Sequence, residues 1–321
     1  VQKRIRKSNN WERMIKILSY AAAVLVPVFF VGISLKYTTH DYFSNKSVLI
    51  AQPILPGAAK AILTLDNGET INLNKETADA LQTIEGTNIQ IDSTTLNYQL
   101  AQSTSVSPKP VYNKVEIPRG GEYALVLSDG TKVHLNSMSS LRFPVAFTTG
   151  KREVELQGEA YFEVSKTGQP FIVNANGIQV EVLGTTFNIS AYPDEEYQTT
   201  LVNGSVKVSA EKGESLILKP SQQATIALGS NSIQVRTVDT SFYTSWVKGK
   251  INFKDQRLED IMKTLSRWYD MNVVYENEKL KNIRFGCNLN RYEEITPFVK
   301  LLEKTEEVHV KIEGNTITFH N

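Results

Sequence analysis

Three acids, Glu159, Glu163 and Glu181, stand in runs of alternating polar and apolar residues and pose the first chemical question. Two carboxylates flanking a glycosidic bond can hydrolyse it, one acting as acid and the other as base or nucleophile. Glu159 and Glu163 share a parity, so on a strand they face the same side. Plain solvent-facing alternation is the simpler account of that pattern. Arg119-Gly120-Gly121 has the composition of an anion-holding loop, yet Pro118 precedes it and a strand follows, where a phosphate loop would open a helix. It reads as a turn. Trp268-Tyr269 offers rings that stack on a sugar or a base, but its spacing from Leu258, Ile261, Met262 and Leu265 assigns it to an apolar helical stripe. The single cysteine, Cys287, excludes an internal disulfide and a Cys-based zinc site, and His40, His134, His309 and His320 show no metal-ligand spacing. G-x-G-x-x-G, Walker, G-x-S-x-G and H-E-x-x-H motifs are absent. The side chains therefore point to no enzyme, no metal and no cofactor.

The elements that must position these residues are mostly strands. In residues 62–73, Leu63 and Leu65 alternate with polar neighbours, Asn67-Gly68 turns the chain, and Ile71 and Leu73 return. Asn-Gly suits a tight hairpin whose two central residues both take positive φ. Residues 124–135 repeat the pattern around Asp129-Gly130, with Leu63/Leu125, Leu65/Leu127, Gly68/Gly130, Leu73/Leu135 and Asn74/Asn136 in step. That is either an internal duplication or one solution found twice. A Ser- and Pro-containing stretch, 103–110, reads as a flexible boundary. From 112 to 240, short strands at 123–127, 132–135, 152–156, 160–164, 171–174, 179–183, 187–191, 199–202, 205–209, 215–218, 223–227 and 233–237 predict an all-β sandwich, roll or solenoid.

After Trp246 the pattern changes. Residues 251–253 form a strand and Asp255 is placed to cap the helix carrying Leu258 through Tyr269. Strands at 272–275 and 283–287 follow. A second helix opens either at Asn290, with Glu293 completing a capping box, or at Thr296 with Pro297 in the first turn. A hairpin of 308–312 and 316–319 closes a small α+β domain in the order β-α-β-β-α-β-β.

Residues 17–35 carry no charge across nineteen positions, roughly 28 Å of helix, which matches a bilayer core. Lys3, Arg4, Arg6, Lys7, Arg13 and Lys16 precede it, against Glu12 alone, and such a bias keeps the N-terminal flank in the cytoplasm. The fold class expected is thus mainly β: a single transmembrane helix, an all-β periplasmic body and a small α+β C-terminal domain. The segments are a basic stub (1–16), the span (17–35), a linker (36–50), a hairpin-containing segment (51–110), the β body (111–242) and the α+β domain (246–321). At 321 residues two or three domains are expected, 41% hydrophobic and 21% charged content describes folded material, and a formal net charge of +1 gives no basic surface for nucleic acid.

Asp129-Gly130-Thr131, Leu135-Asn136, Ser140-Leu141 with Pro144, and Arg152-x-Val154-x-Leu156-x-Gly158-Glu159-Ala160-Tyr161-Phe162 resemble the FecR family of membrane anti-sigma regulators. Pro170-Phe171-x-Val173, Val182-Leu183-Gly184-Thr185-x-Phe187-Asn188 and Gly204-x-Val206 continue the resemblance, with Ser221 standing where the family usually has glycine. Trp246-x-x-Gly249 through Arg267-Trp268-Tyr269 resembles the family's C-terminal domain, similar in kind to the short N-terminal domains of secretins and TonB-dependent transporters. The resemblance implies a relay in which the signalling domain of an outer-membrane TonB-dependent transporter meets the periplasmic part. The signal then crosses the inner membrane through residues 17–35 and reaches an extracytoplasmic-function sigma factor. The family's sigma-binding domain is helical and cytoplasmic. Sixteen residues cannot contain it, so it is expected upstream of Val1 unless this member works without one. A membrane-anchored lectin or adhesion module is the alternative for a β-rich exterior.

In some relatives the bond matching Gly184–Thr185 cleaves itself. A threonine hydroxyl can attack the preceding carbonyl in a strained turn, giving an ester that water opens, and glycine leaves the approach unhindered. A plain turn between strands accounts for the same two residues.

Overall fold

The computed structural model describes residues 53–74, 80–84, 87–98, 110–148, 150–211 and 213–321. The apolar run 17–35, its flanks 1–16 and 36–50, and all but Pro110 of the 103–110 stretch lie outside the described residues. Among the described residues no helix is long and apolar enough to cross a membrane.

The β body consists of two layers that share one strand, Arg152–Glu163. Sequence patterning divides this strand into two pieces, because it shows a break at Gln157-Gly158. The chain bends there without ending the strand. Gly158 has φ +86°, and a Cβ on it would fall 2.5 Å from Ser139 Oγ and 2.8 Å from the Met138 carbonyl oxygen. Only glycine fits so close a crossing. Before the bend the strand pairs with Ser140–Pro144 and Phe171–Ala175, and beyond it with Lys132–Leu135 and Thr186–Ala191. The first layer extends through Tyr112–Glu116, Ala61–Thr64 and Thr70–Leu73 on one side. On the other it runs through Ile178–Val182, Val206–Ser209 and Ser215–Leu218. The second layer runs from Ala80–Ile84 through Thr87–Ile91, Thr95–Asn97 and Gly121–Val126 to Lys132–Leu135. It continues past the shared strand through Tyr197–Asn203, Gln222–Ile226 and Gln234–Thr237. One apolar cluster fills the space between the layers. Phe162 and Phe187 stack inside it, ring centroids 5.0 Å apart and 14° from parallel.

The two similar hairpins turn alike. Gly68 N donates to Leu65 O and Gly130 N to Leu127 O, both at 2.9 Å, while Asn67 and Asp129 accept from the amide two residues on. In each turn only the glycine has positive φ, +85° and +81°, so these are three-residue turns rather than the two-residue kind expected. Tyr112–Glu116, Ser140–Pro144, Ala80–Ile84, Thr87–Ile91 and Thr95–Asn97 are further strands that sequence patterning does not mark, each five residues or fewer.

The C-terminal module realises the order β-α-β-β-α-β-β. Lys250–Arg257 pairs with Arg284–Asn290, and a three-stranded sheet has the order Asn272–Tyr275, Thr316–His320, His309–Glu313. Leu258, Ile261, Met262, Leu265, Trp268 and Tyr269 form the buried stripe of the first helix, Leu258–Tyr269. Asp255 does not cap it. The strand runs on through a bulge, with Asp255 at φ +49°, and Arg257 occupies the N-cap. The second helix, Thr296–Glu303, has proline in its first turn, while Asn290 and Glu293 bond to one another in the preceding turn.

Candidate functional site

The residues singled out by sequence fall into two clusters. The first locks the β body. Asp129, in the hairpin turn, accepts from the Thr131 amide at 2.9 Å and the Thr131 hydroxyl at 2.7 Å. Its other neighbour is Arg152, buried at 1% exposure, which reaches it at 2.7 Å and also donates to the Ser165 and Gln169 carbonyls at 2.8 and 2.6 Å. Asp129, Gly130, Thr131 and Arg152 are thus one structural bolt holding a turn, a strand start and the 165–169 loop together. Phe162, Phe187 and Gly158 belong to the core and the bend already described.

The second cluster lies where the β body meets the C-terminal module. Three neighbouring strands bring Asn136, Glu159 and Asn188 together: Asn136 Nδ2 donates to Glu159 at 2.7 Å and Asn188 Nδ2 at 3.0 Å. The two amides are held the right way round by other partners. Asn136 Oδ1 accepts from Arg291 at 2.9 Å, and Asn188 Oδ1 accepts from Trp246 Nε1 at 3.2 Å. Burial pushes the Glu159 carboxyl above its usual range, against the two amides and the nearby Arg267 and Arg291 charges that pull it down.

Arg291 is the centre of the joint. Its guanidinium carbon sits 3.7 Å from the Trp268 ring centroid and 5.5 Å from that of Trp246. It also pairs with Glu122 at 3.3 Å and donates to the Trp246 carbonyl at 3.2 Å. Trp268 Nε1 donates in turn to the Arg291 carbonyl, and Tyr269 hydroxyl to that of Glu293 at 2.8 Å. The Trp268 ring fills the space beside Gly57, where a Cβ would meet it at 2.8 Å. Arg267 pairs with Glu195 and lies 3.8 Å over the Tyr192 ring.

Arg119-Gly120 finishes the contact. Arg119 donates to the Ser266 and Met271 carbonyls, Gly120 N donates to Arg267 O at 2.7 Å, and Arg119 pairs with Asp270 at 3.2 Å. Carbonyls at and just past the C-terminus of the Leu258–Tyr269 helix thus accept from a turn of the β body, which places a cation at the negative end of the dipole. Sequence reasoning reads that turn as plain. Arg291, flanked by polar Asn290 and Tyr292, gives no signal at all in the sequence.

A cleft of about 560 Å³ opens beside the joint, lined among others by Glu159, Tyr192, Glu195, Trp246, Lys250 and Arg267. The three acids singled out in the sequence, Glu159, Glu163 and Glu181, form no glycosidase pair in it. Glu159 and Glu163 are four residues apart on one strand, roughly 13 Å, wider than the carboxyl separations glycosidases use. Glu181 lies in the other layer, beside Lys207 at 3.8 Å. No sugar-binding platform of exposed rings stands out among the described residues, where Tyr292 is the one aromatic among the exposed large apolar side chains.

Thr185 is buried, at 5% exposure. Its hydroxyl donates to Ser205 O and its carbonyl accepts from Val164 N, both at 3.0 Å. A Cβ on Gly184 would fall 2.2 Å from Lys166 Cγ.

Two family models match the chain, FecR protein over residues 113–207 and FecR, C-terminal over residues 250–319. No curated protein matches significantly. Two crystal structures of a candidate anti-sigma factor from Parabacteroides distasonis are similar in fold, each with a TM-score of 0.60. One is 26% identical, covering 65% of this chain and 98% of that one, and the other is 25% identical, covering 65% and 99%.

Proposed function

The chain belongs to the FecR family of anti-sigma regulators, and from that premise we propose that its β body and C-terminal module together receive a signal from outside the inner membrane. The role is regulatory, that of a sigma regulator. In this reading residues 17–35 form a single span with the N-terminus in the cytoplasm. The effector is an extracytoplasmic-function sigma factor, and the upstream partner is the signalling domain of a TonB-dependent outer-membrane transporter.

The observation that carries the reading is the joint around Arg291. It couples the module to the β body through a buried guanidinium lying over indole rings and through a cross-capped helix, so a partner that shifts the module must disturb the body. Asn272–Tyr275 and His309–Glu313 flank the module's sheet, and an extended segment adding to a sheet edge gains affinity from main-chain hydrogen bonds. Calorimetry with the transporter's signalling domain tests this. Binding should be lost when residues 246–321 are deleted, and unchanged binding would reduce the module to a cap on the β body. Protease added to spheroplasts should digest everything beyond about residue 36. Protection of residues 40–321 would end the periplasmic assignment. For Gly184–Thr185 we favour a structural turn over self-cleavage, on the hydrogen bond that commits the Thr185 hydroxyl to Ser205.

A further inference from the structure

The C-terminal sheet has one face against the helices and one face outward. Along Thr316–His320 the buried residues are Ile317 and Phe319, which leaves Thr316, Thr318 and His320 on the outer face. Along His309–Glu313 the same rule puts Val310 and Ile312 inside and His309, Lys311 and Glu313 outside. The register pairs His309 directly with His320, and their ring centroids are 5.5 Å apart with the planes tilted by 35°.

The third strand adds an acid to the same row. Tyr275 is the register partner of Phe319, and the Glu276 amide donates to Phe319 O at 3.0 Å, which sets exposed Glu276 beside His320. Lys311 corroborates the placement. Its ammonium is held above the usual lysine range first by the Glu313 hydrogen bond and charge, and in part by the Glu276 charge reaching across the outer face.

We propose that His309, His320 and Glu276 form a binding site for a divalent transition-metal cation, of the Zn²⁺ or Ni²⁺ kind, on the outer face of the C-terminal sheet.

Imidazole suits these borderline cations, and two imidazoles with a carboxylate form a common ligand set. With Zn–N bonds of about 2.0–2.1 Å, two imidazoles sharing an ion put their ring centres roughly 5 Å apart. The observed spacing is close to that before any adjustment. His320 Nδ1 faces the Asn321 carbonyl at 3.4 Å, an acceptor that would hold the proton on Nδ1 and leave Nε2 as the ligand. No three donors already converge on one point among the described residues, so the ion must draw the Glu276 side chain over His320. Glu276 is exposed just past its strand, where its side chain is free to change rotamer. Lys311, on the same outer face, is occupied by Glu313 at 2.8 Å. The remaining coordination positions face solvent and are open to water or to a donor from a partner.

Titrating Zn²⁺, and separately Ni²⁺, into the full chain by calorimetry tests the site. One saturable site is expected, weakened about tenfold or more by His309→Ala or by His320→Ala and several-fold by Glu276→Gln. His134→Ala, in the β body, should leave it unchanged. These outer-face positions carry no core packing, and circular dichroism should report an intact fold for each variant. Ni²⁺ should also broaden the imidazole proton resonances of His309 and His320 before the others. Absence of saturable binding, or binding by the His309→Ala/His320→Ala double variant equal to the parent's, would overturn the site.

Discussion

Arg291 and Trp268 bind each other twice: the guanidinium carbon lies over the indole 3.7 Å from the ring centroid, while the indole N–H donates to the Arg291 carbonyl. One residue comes from a helix and the other from a turn, and the β body closes over both with Glu122 and Asn136. Contact with the face of one ring and the carbonyl behind it fixes the side chain's direction as well as its position. A residue with so few degrees of freedom left transmits displacement instead of absorbing it.

Replacing Arg291 by methionine keeps much of the volume but takes the cationic partner from Glu122 and one of two donors from Asn136 Oδ1, leaving them the Tyr292 hydroxyl and the Ser137 amide. Breaking a buried pair from one side commonly costs about 3–5 kcal/mol, and Glu122 is partly exposed, so a loss of about 2–4 kcal/mol is expected in urea unfolding. Arg291→Lys should recover little, because an ammonium has neither the fork nor the flat face. A methionine variant within about 1 kcal/mol of the parent would mean the joint is held by the indoles alone.

The Asp129–Arg152 bolt predicts strong coupling. Asp129→Ala and Arg152→Ala should each destabilise by about 3–5 kcal/mol, since each leaves its partner buried and unpaired. The double variant should cost far less than the sum, with an interaction energy of about 1–3 kcal/mol in a double-mutant cycle. Additive losses would show that Arg152 acts through its two carbonyl contacts only.

Glu159 gives a pH signature of defined sign. Its folded carboxyl titrates above the ordinary glutamate value, so the folded state binds more protons than the unfolded state between the two values. Its contribution to stability is therefore fully present below the ordinary glutamate value and is lost as pH rises through the raised one. The stability of the parent minus that of Glu159→Gln, from urea melts between about pH 4 and 8, should fall across that window and then level. A difference that grows with pH would mean the amides and arginines outweigh burial.

Alternation, turn chemistry and the apolar stripe of one helix made the β body and the α+β module legible in sequence, because each is a property of neighbouring residues. The joint was not. Asn136, Glu159 and Asn188 meet because Lys132–Leu135, Arg152–Glu163 and Thr186–Ala191 lie side by side, and adjacency of strands is not written locally. Read locally, Arg119 serves its own turn; only the fold brings the helix end at residues 266–271 to it. Asp255 misled for a related reason: it has the chemistry of a cap, but a bulge in the strand pairing carries the chain two residues further before the helix begins.

Thr185 offers the sharpest contrast between a turn and a reactive bond. Attack on the Gly184 carbonyl needs a free hydroxyl lone pair aimed at that carbon and a group to take the proton. The hydroxyl proton is held by Ser205 O, a backbone carbonyl too weakly basic to remove it, and Gly204 approaches so closely that a Cβ there would fall 2.8 Å from Thr185 Oγ1. The strand ends at 182–186 and 203–206 thus grip the side chain between them. The aliphatic stem of Lys166 covers Gly184. The expected result is one intact mass for the purified chain after days in native buffer. Thr185→Val should cost about 1 kcal/mol for the lost hydrogen bond, and Thr185→Ser should keep most of it. Two fragments divided between Gly184 and Thr185, present in the parent and in Thr185→Ser but absent from Thr185→Ala, would replace the turn with a self-cleaving bond.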